Sequence, residues 1–281
     1  AFIHVVDMSG ETDAQGKPSE NCYPGNDLAV IENELDKWYL GILMKVWKVF
    51  ARTVEMQKKK FAVEVARQFS GLKVTEDDVK HTFLKTKLND ERPSLWSDAD
   101  VSKFARELRR YTKPMIIAAN KMDRPLSREN FLRLKKEFDY PIVPCFAEGE
   151  LALREADKHG LIDYIPGEND FKVLDGNEPA AVSPTAHPKL NEKQKLALNE
   201  IKKILKEFGG TGVQEILNEV VFEILKYIAV FPAGDKMVDS YGRVLPDCYL
   251  MPPNSTALDF AFRLHSDIGK GFVKAIDIRT K

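Results

Sequence analysis

Three polar side chains follow directly after a short apolar run in the middle of the chain. Residues 115–119 are Met, Ile, Ile, Ala and Ala, and Asn120, Lys121 and Asp123 come next. An ionised carboxylate only accepts hydrogen bonds, so Asp123 can accept two from the ring N–H and the amino group of guanine. Adenine lacks that pair of donors. Asn120 can bond the base or tie loops together, and the stem of Lys121 can cover the ring face. These residues therefore predict selective recognition of guanine.

The tetrad 120–123 matches the guanine-reading NKxD motif of GTPases, whose second recognition loop follows the next strand. Here that position holds Cys145, Phe146, Ala147 and Glu148. GTPases usually carry Ser-Ala-Lys there, and a backbone N–H reaches the guanine oxygen. Ala147 keeps the small residue, and a backbone contact tolerates Phe146 in place of Ser. We expect both to contribute to base binding. The alternatives are a chance helix-capping tetrapeptide at 120–123 and an ordinary strand-to-helix turn here.

The elements around these residues follow the order strand, helix, strand. The apolar run 115–119 predicts a parallel strand buried on both faces. A helix is expected at about 127–138 and a second strand at 141–144, while residues 1–7 read as an opening strand. Open α/β sheets bind ligands at the carboxyl ends of their strands. The sequence thus predicts an α/β fold with a partial parallel sheet core of the P-loop GTPase type.

A helical segment separates the opening strand from the guanine-reading strand. Apolar residues recur at helical spacing over about 28–60 in two stripes, which predicts one long helix buried on a wide face. The first stripe is Leu35, Trp38, Ile42, Val46 and Val49, and the second is Tyr39, Leu43, Trp47, Phe50 and Val54. Thr75 and Ser97 are expected to cap further helices. The run Lys58–Lys60 is either a solvated face or a contact with RNA.

In the last third of the chain, predicted helices give way to short strands. Helices are expected at about 192–208 and 213–226. From residue 227 onward, strands at 228–231, 249–251 and 272–276 surround a helix capped by Ser255 or Thr256. This order predicts a small α+β module.

Several signals of other chemistry are absent from the sequence. No GxxxxGKS or GxxxxGKT segment occurs, so no phosphate-cradling loop is present. The segments 7–10 and 239–242 resemble the magnesium-switch motif DxxG, and both are interpreted as coincidence. No metal site is predicted, because the five histidines form no ligand array and are expected on surfaces or loops. They are His4, His81, His159, His187 and His265.

Net charge and cysteine content limit the partners and the compartment that the sequence predicts. The formal net charge of −1 gives the whole chain no bulk attraction to nucleic acid, and no DNA specificity is predicted. Three scattered cysteines fit a reducing cytosol rather than a disulfide framework. No apolar run approaches the roughly 20 residues that span a bilayer, so no membrane partner is expected.

The order of motifs along nearly the whole chain resembles the Obg-related GTPases of the YchF type, in their archaeal form. The resemblance rests on the opening strand with Ser9 and Gly10, the NKMD tetrad, and the segments 161–167, 209–214, 257–261 and 265–269. The last two segments resemble the TGS domain. The resemblance implies hydrolysis of GTP or ATP, a Mg²⁺ ion, and association with ribosomes or RNA. Some family members carry Glu in place of the motif Asp and prefer ATP, so Asp123 favours GTP. No catalytic residue is carried over.

The predicted organisation is a GTPase domain, an insertion and an appended module. Residues 1–27 and 96–226 form the partial GTPase domain, 28–95 the helical insertion, and 227–281 the TGS domain. The chain is expected to be part of a longer GTPase, with the phosphate and Mg²⁺ contacts supplied by other segments, and to be inactive alone. The alternative is a non-catalytic adaptor for RNA or ribosomes that lacks a phosphate loop. The intact mass of the natural protein distinguishes the two.

Overall fold

A parallel sheet of three strands carries the residues singled out above. The strands are β1 (Phe2–Asp7), β2 (Met115–Asn120) and β3 (Ile142–Pro144), and they lie side by side in chain order. The central strand β2 pairs with both neighbours. Its first five residues are buried, as expected for a strand covered on both faces. The predicted α/β class is confirmed.

The computed structural model divides into two compact units, residues 1–216 and 217–281. The parallel sheet belongs to the first unit. The structure describes residues 1–13, 16–20, 22–174, 190–233, 237–238, 241–244 and 247–278.

Nine α-helices that begin within the described part of residues 1–216 and a short hairpin accompany the sheet. The hairpin pairs β4 (Ile162–Asp163) with β5 (Lys172–Val173) in antiparallel orientation. The predicted caps Thr75 and Ser97 both form capping boxes, in which the side chain accepts a backbone N–H three residues on. The helices are α1 (Gly25–Met44), α2 (Trp47–Met56), α3 (Phe61–Gln68), α4 (Glu76–Thr86), α5 (Asp98–Thr112), α6 (Ser127–Glu137), α7 (Ala147–Lys158), α8 (Glu192–Phe208) and α9 (Val213–Asn218).

The single long helix predicted over 28–60 is wrong. The chain leaves the helix after Met44 and begins α2 at Trp47. Only the second apolar stripe is largely buried, whereas in the first stripe Trp38 is 47% exposed and Val49 is 74% exposed. A helix on the surface of a domain buries one stripe against its neighbour, and the main neighbour of α1 is α5. The first stripe therefore faces largely outward.

Aromatic side chains form the core of this helical region. Trp47 on α2 packs against Trp96, with ring centroids 5.3 Å apart. Both rings lie against Phe61, which also meets Phe104 of α5 edge to face. Such ring pairs contribute beyond the area they bury. Because α5 belongs to the same core, the helical region and the α/β sheet are joined through that helix.

A buried arginine ties α1 to α5. The Arg109 side chain is fully buried, and its Nη2 lies 2.7 Å from Asp36 Oδ1 and 3.3 Å from Glu32 Oε1. Arg110 pairs with the same Glu32 carboxylate. The hydroxyl of Tyr140, just before β3, donates to it as well. This ion network therefore links both helices to the segment that leads into the sheet.

The second unit contains an antiparallel strand pair and two short helices among its described residues. They are β6 (Ile228–Val230), β7 (Tyr249–Met251), α10 (Ala257–Leu264) and α11 (Ser266–Lys270). Thr256 caps α10, which resolves the choice between Ser255 and Thr256.

At this end one sequence prediction holds in part, one is wrong and one lies outside the described residues. The helix predicted over 213–226 begins at Val213, but its second half, Glu219–Ile224, is a π-helix. Residues 272–276 form no strand, because their backbone groups pair with no strand in the described part of the unit. Asp239 and Ser240, half of the second DxxG-like segment, lie outside the described residues.

Candidate functional site

The carboxyl ends of the three parallel strands bring the two predicted loops together. Asp7 at the end of β1 lies opposite Asn120 at the end of β2. The Cys145 N–H donates to the carbonyl of Ala119 at 2.7 Å, and the Met122 N–H donates to the carbonyl of Cys145 at 3.2 Å. Residues 120–123 and 145–148, here called the recognition loops, therefore share one edge of the sheet.

The Asn120 side chain links the two recognition loops directly. Its Oδ1 accepts a hydrogen bond from the backbone N–H of Ala147 at 3.1 Å. Its own carbonyl accepts from the Met8 N–H at 3.0 Å, which adds the turn after β1. One residue thus contacts all three strand ends.

Lys121 has a strained backbone and a fixed side chain. Its φ is +63°, a left-handed conformation that costs free energy in any residue with a Cβ. The Ser127 hydroxyl donates to its carbonyl oxygen at 2.6 Å and holds this turn in place. The ammonium Nζ lies 2.7 Å from Asp7 Oδ2. The side chain is therefore anchored at the strand ends.

Asp7 is a residue of this site that the sequence analysis missed. Its carboxylate accepts from the Ser9 N–H at 2.9 Å, the Ser9 hydroxyl at 2.6 Å and the Thr12 hydroxyl at 2.9 Å, besides Lys121. Burial alone would raise the pKa of Asp7, but the hydrogen bonds from Lys121, Ser9 and Thr12 lower it to about 2. Asp7 is therefore ionised at neutral pH. The missed signal was its position at the carboxyl end of a strand, rather than the DxxG-like letters.

Asp123 follows the strained turn at Lys121 and lies at the edge of the site, with 22% of its side chain exposed. Its Oδ2 lies 3.4 Å from Nε of Arg124. A carboxylate in this position can accept hydrogen bonds from donors that approach the strand ends.

Phe146 packs against the core, whereas Ala147 lies at the surface. Phe146 precedes α7, and its ring packs against Gly149 and the core around Leu153. The backbone N–H of Phe146 donates to the carbonyl of Thr211 at 2.8 Å. Ala147 is exposed and begins α7. The aromatic ring in place of the usual Ser therefore serves packing, and its backbone is held by a distant loop.

A cavity of about 340 Å³ opens beside the site. It lies between the turn that follows β1 and the residues that follow Asp123. Its lining consists of Ser9, Gly10, Glu11, Ser19, Glu20, Pro125 and Leu126.

The titratable groups of the described residues form no metal centre. No group of three His, Cys, Asp or Glu side chains in these ranges is arranged to hold an ion. His4 was predicted on a surface or loop, but it lies half-buried within β1, where burial lowers its pKa. His187 lies outside the described residues. Burial, and then the charge of Glu150, raise the pKa of Cys145 to about 11, so its thiol stays protonated.

Comparison with known proteins places this arrangement in a family. Residues 118–235 match the model of the Obg-like GTPase YGR210-like, G4 motif-containing domain. The matched segment includes the NKMD tetrad. A crystal structure of a GTP binding protein from Pyrococcus horikoshii is similar over 99% of this chain and 72% of that chain, with a TM-score of 0.73 and 40% identity.

Two curated relatives extend the comparison to whole sequences. The chain is 43% identical to the GTP-binding protein MJ1332 of Methanocaldococcus jannaschii over 284 residues, which is 100% of this chain and 68% of that protein. It is 29% identical to the GTP-binding protein C428.15 of Schizosaccharomyces pombe over 268 residues, which is 92% of this chain and 62% of that protein. The chain therefore belongs to the Obg-like GTPase family.

No helix within the described ranges has both the length and the apolar character needed to cross a membrane.

Proposed function

We propose that this chain binds the guanine base of GTP and GDP through the recognition loops. Asp123 accepts from the ring N–H and the amino group, Lys121 covers the ring face, and Asn120 contacts the base while it joins the loops. The loop of Phe146 and Ala147 supplies a backbone donor for the guanine oxygen. Because the N–H groups of these two residues already donate to Thr211 and Asn120, the donor is the N–H of Glu148, the next residue. The observation that carries this proposal is the hydrogen bond from the Ala147 N–H to Asn120, which brings two loops 27 residues apart to one place.

The fixed groups at the strand ends support this assignment. An anchored ammonium and a carboxylate that stays ionised at neutral pH keep the Lys121 turn in one conformation before any ligand arrives. A preformed site loses less conformational entropy on binding. The relatives described above are named as GTP-binding proteins, which supports a guanine nucleotide as the ligand.

We further propose that the natural protein hydrolyses GTP with the help of Mg²⁺ in the cytoplasm. Phosphoryl transfer depends on backbone N–H groups and a Lys that cradle the phosphates, and on a bound magnesium ion. The sequence contains no GxxxxGKS or GxxxxGKT segment to provide them. We therefore assign base selection to this chain and no catalytic residue within it.

Nucleotide titration tests the proposed function. A longer natural form that contains a phosphate-binding loop should bind GDP at least tenfold more tightly than ADP, because only guanine satisfies Asp123. Residues 1–281 alone should bind GTP weakly and hydrolyse none. Calorimetry with GDP, GTP and ADP on both proteins measures this. Equal affinity for GDP and ADP in the longer form would contradict guanine recognition, and tight GTP binding by residues 1–281 would place the phosphate contacts within this chain.

The outer surface around α2 is a second proposed site, for the phosphate backbone of RNA or ribosomes. Six exposed basic side chains lie there, and none has a carboxylate within ion-pair distance among the described residues. They are Lys45, Lys48, Arg52, Lys58, Lys59 and Lys60. Two exposed apolar side chains, Val49 and Met56, lie among them. Unpaired basic groups of this kind release counterions when they meet phosphates.

Charge reversal at 58–60 tests this surface. Replacing Lys58, Lys59 and Lys60 together by Glu should weaken RNA or ribosome binding and reduce the slope of log affinity against log salt by about 2 to 3. A control changes two exposed lysines of α6, Lys135 and Lys136, to Glu. Sedimentation or filter binding across a salt series provides the measurement. An unchanged slope would show that these lysines only solvate a helix.

We also propose that residues 227–281 form a TGS domain that adds a second partner surface. The antiparallel pair β6–β7 followed by the capped helix α10 supports this. Deletion of 227–281 in the same sedimentation or filter-binding experiment separates its contribution from that of the α2 surface. Loss of binding on deletion alone would assign the partner to the TGS segment.

A further inference from the structure

The loop between α8 and α9 packs directly on the second recognition loop. Gly212 has φ +78°, and a Cβ at that position would lie 1.9 Å from the carbonyl oxygen of Pro144 and 3.1 Å from Cα of Cys145. Only glycine permits this approach. The neighbouring carbonyl of Thr211 accepts the N–H of Phe146. The loop at 209–212 is therefore a backbone support for the end of β3.

The Thr211 side chain holds the same recognition loop from its other end. Thr211 is 1% exposed, and its hydroxyl donates to Glu150 Oε2 at 2.6 Å. Glu150 lies in the first turn of α7 and is 4% exposed. Through its carbonyl and its hydroxyl, Thr211 contacts the residues just before and just after Ala147–Gly149.

Glu150 is fully engaged within the fold. The Tyr164 hydroxyl donates to Oε2 at 2.8 Å, and Arg154 Nε lies 2.6 Å from Oε1. A buried carboxylate persists only when its oxygens are hydrogen-bonded, and it gives little stability over apolar packing. Such a network fixes geometry more than it adds stability. The geometry that it fixes here is the start of α7.

We propose that Thr211 and Glu150 are positioning residues that place the Glu148 amide for the O6 oxygen of guanine. This inference rests on the proposed function. A backbone N–H bonds a carbonyl oxygen only within a narrow range of distance and angle. Asn120 holds the recognition loop at Ala147, whereas Thr211 holds it at Phe146 and at Glu150. Loss of the Thr211 hydroxyl therefore lets the Glu148 amide move while Asp123 stays in place.

Three variants separate positioning from a general effect on stability. Thr211→Val keeps the shape and removes the hydroxyl, Thr211→Ser restores it, and Thr82→Val removes a similarly buried hydroxyl on α4. The longer natural form is titrated with GDP, 6-thioguanosine diphosphate and inosine diphosphate. The thio analogue weakens the acceptor at position 6, and the inosine analogue lacks only the amino group that Asp123 binds.

Thr211→Val should lower the GDP to thio-GDP affinity ratio about tenfold and leave the GDP to inosine diphosphate ratio unchanged. Thr211→Ser should recover the first ratio, and Thr82→Val should change neither. A folded Thr211→Val protein with the wild-type thio ratio would overturn the proposal. No guanine preference in the wild type would refute the proposed function instead.

Amide hydrogen exchange in residues 1–281 tests the positioning without nucleotide. The Phe146 and Ala147 amides should exchange at least tenfold faster in Thr211→Val than in wild type or Thr82→Val, because their loop is less restrained. Unchanged exchange at both amides would overturn the proposal, whatever the nucleotide affinity.

Discussion

Replacing Arg109 by Met will lower the free energy of unfolding by about 3–5 kcal/mol. The guanidinium is completely buried and pairs with Asp36 and Glu32. Removing it leaves the carboxylates of Glu32 and Asp36, whose side chains are 17% and 20% exposed. The cations that remain beside them, Arg110 and Arg106, are more exposed. Burial would raise the pKa of Glu32, but hydrogen bonds from Tyr140 and Arg110 and the charge of Arg109 lower it. The variant lacks the charge of Arg109, which is one of the groups that lower the pKa of Glu32.

Arg106→Met provides the matched control for this prediction. Arg106 lies on the same helix and contacts the same Asp36, but at 3.5 Å and with 53% of its side chain exposed. An exposed pair contributes less than about 1 kcal/mol. Urea unfolding of both variants, with the slope against denaturant compared, distinguishes a stability change from a change in the unfolded state. Equal losses in the two variants would mean that burial adds nothing to the Arg109 network.

The starts of the capped helices were predicted well because local chemistry decides them. Thr75 and Ser97 each accept a backbone N–H within the first turn, which requires residues only three positions apart. The buried strand β2 was also predictable, because a short apolar run between helices has few alternatives in an α/β fold. Its neighbours in the sheet followed from the strand, helix, strand order.

The buried face of the first helices was harder to predict. Apolar residues at helical spacing show which rows of a helix are apolar, but they do not show which row meets another element. Tyr39 is buried because α5 covers that side of α1, whereas Trp38 and Val49 point outward. The partner helix begins more than 50 residues later in the chain, so no local pattern contains this information.

The residues of the candidate site also differ in how well the sequence predicts them. The NKMD tetrad is contiguous and could be recognised from its letters. Asp7 contacts Lys121 across 114 positions, and Thr211 contacts Glu150 across 61. These pairs form because parallel strands and a returning loop bring their ends together, and only the folded chain shows which ends meet. Sequence alone thus indicated the residues that we propose to read the base, but not those that hold them in place.

Asp123→Asn should remove the preference of the natural protein for guanine. The amide offers one acceptor and one donor where guanine presents two donors, so a charged hydrogen bond worth roughly 1.5–3 kcal/mol is lost. The expected fall in GDP affinity is roughly 10- to 150-fold. Xanthine carries an oxygen in place of the amino group and should match the new amide, so the affinity for xanthosine diphosphate should rise.

Asp139→Asn is the matched control for Asp123→Asn, because it removes one exposed carboxylate in the turn before β3, outside the recognition loops. Titration of both variants and the wild type with GDP, ADP and xanthosine diphosphate measures the change in preference. The Asp123 side chain makes one long ion pair, with Arg124 at 3.4 Å, and Asn has nearly the same shape, so the substitution should leave the unfolding transition nearly unchanged. A drop in affinity without a change in stability therefore reports base contact. If Asp123→Asn binds GDP as tightly as Asp139→Asn does, Asp123 does not read the base, and the donors of guanine must be bound by another acceptor at the strand ends.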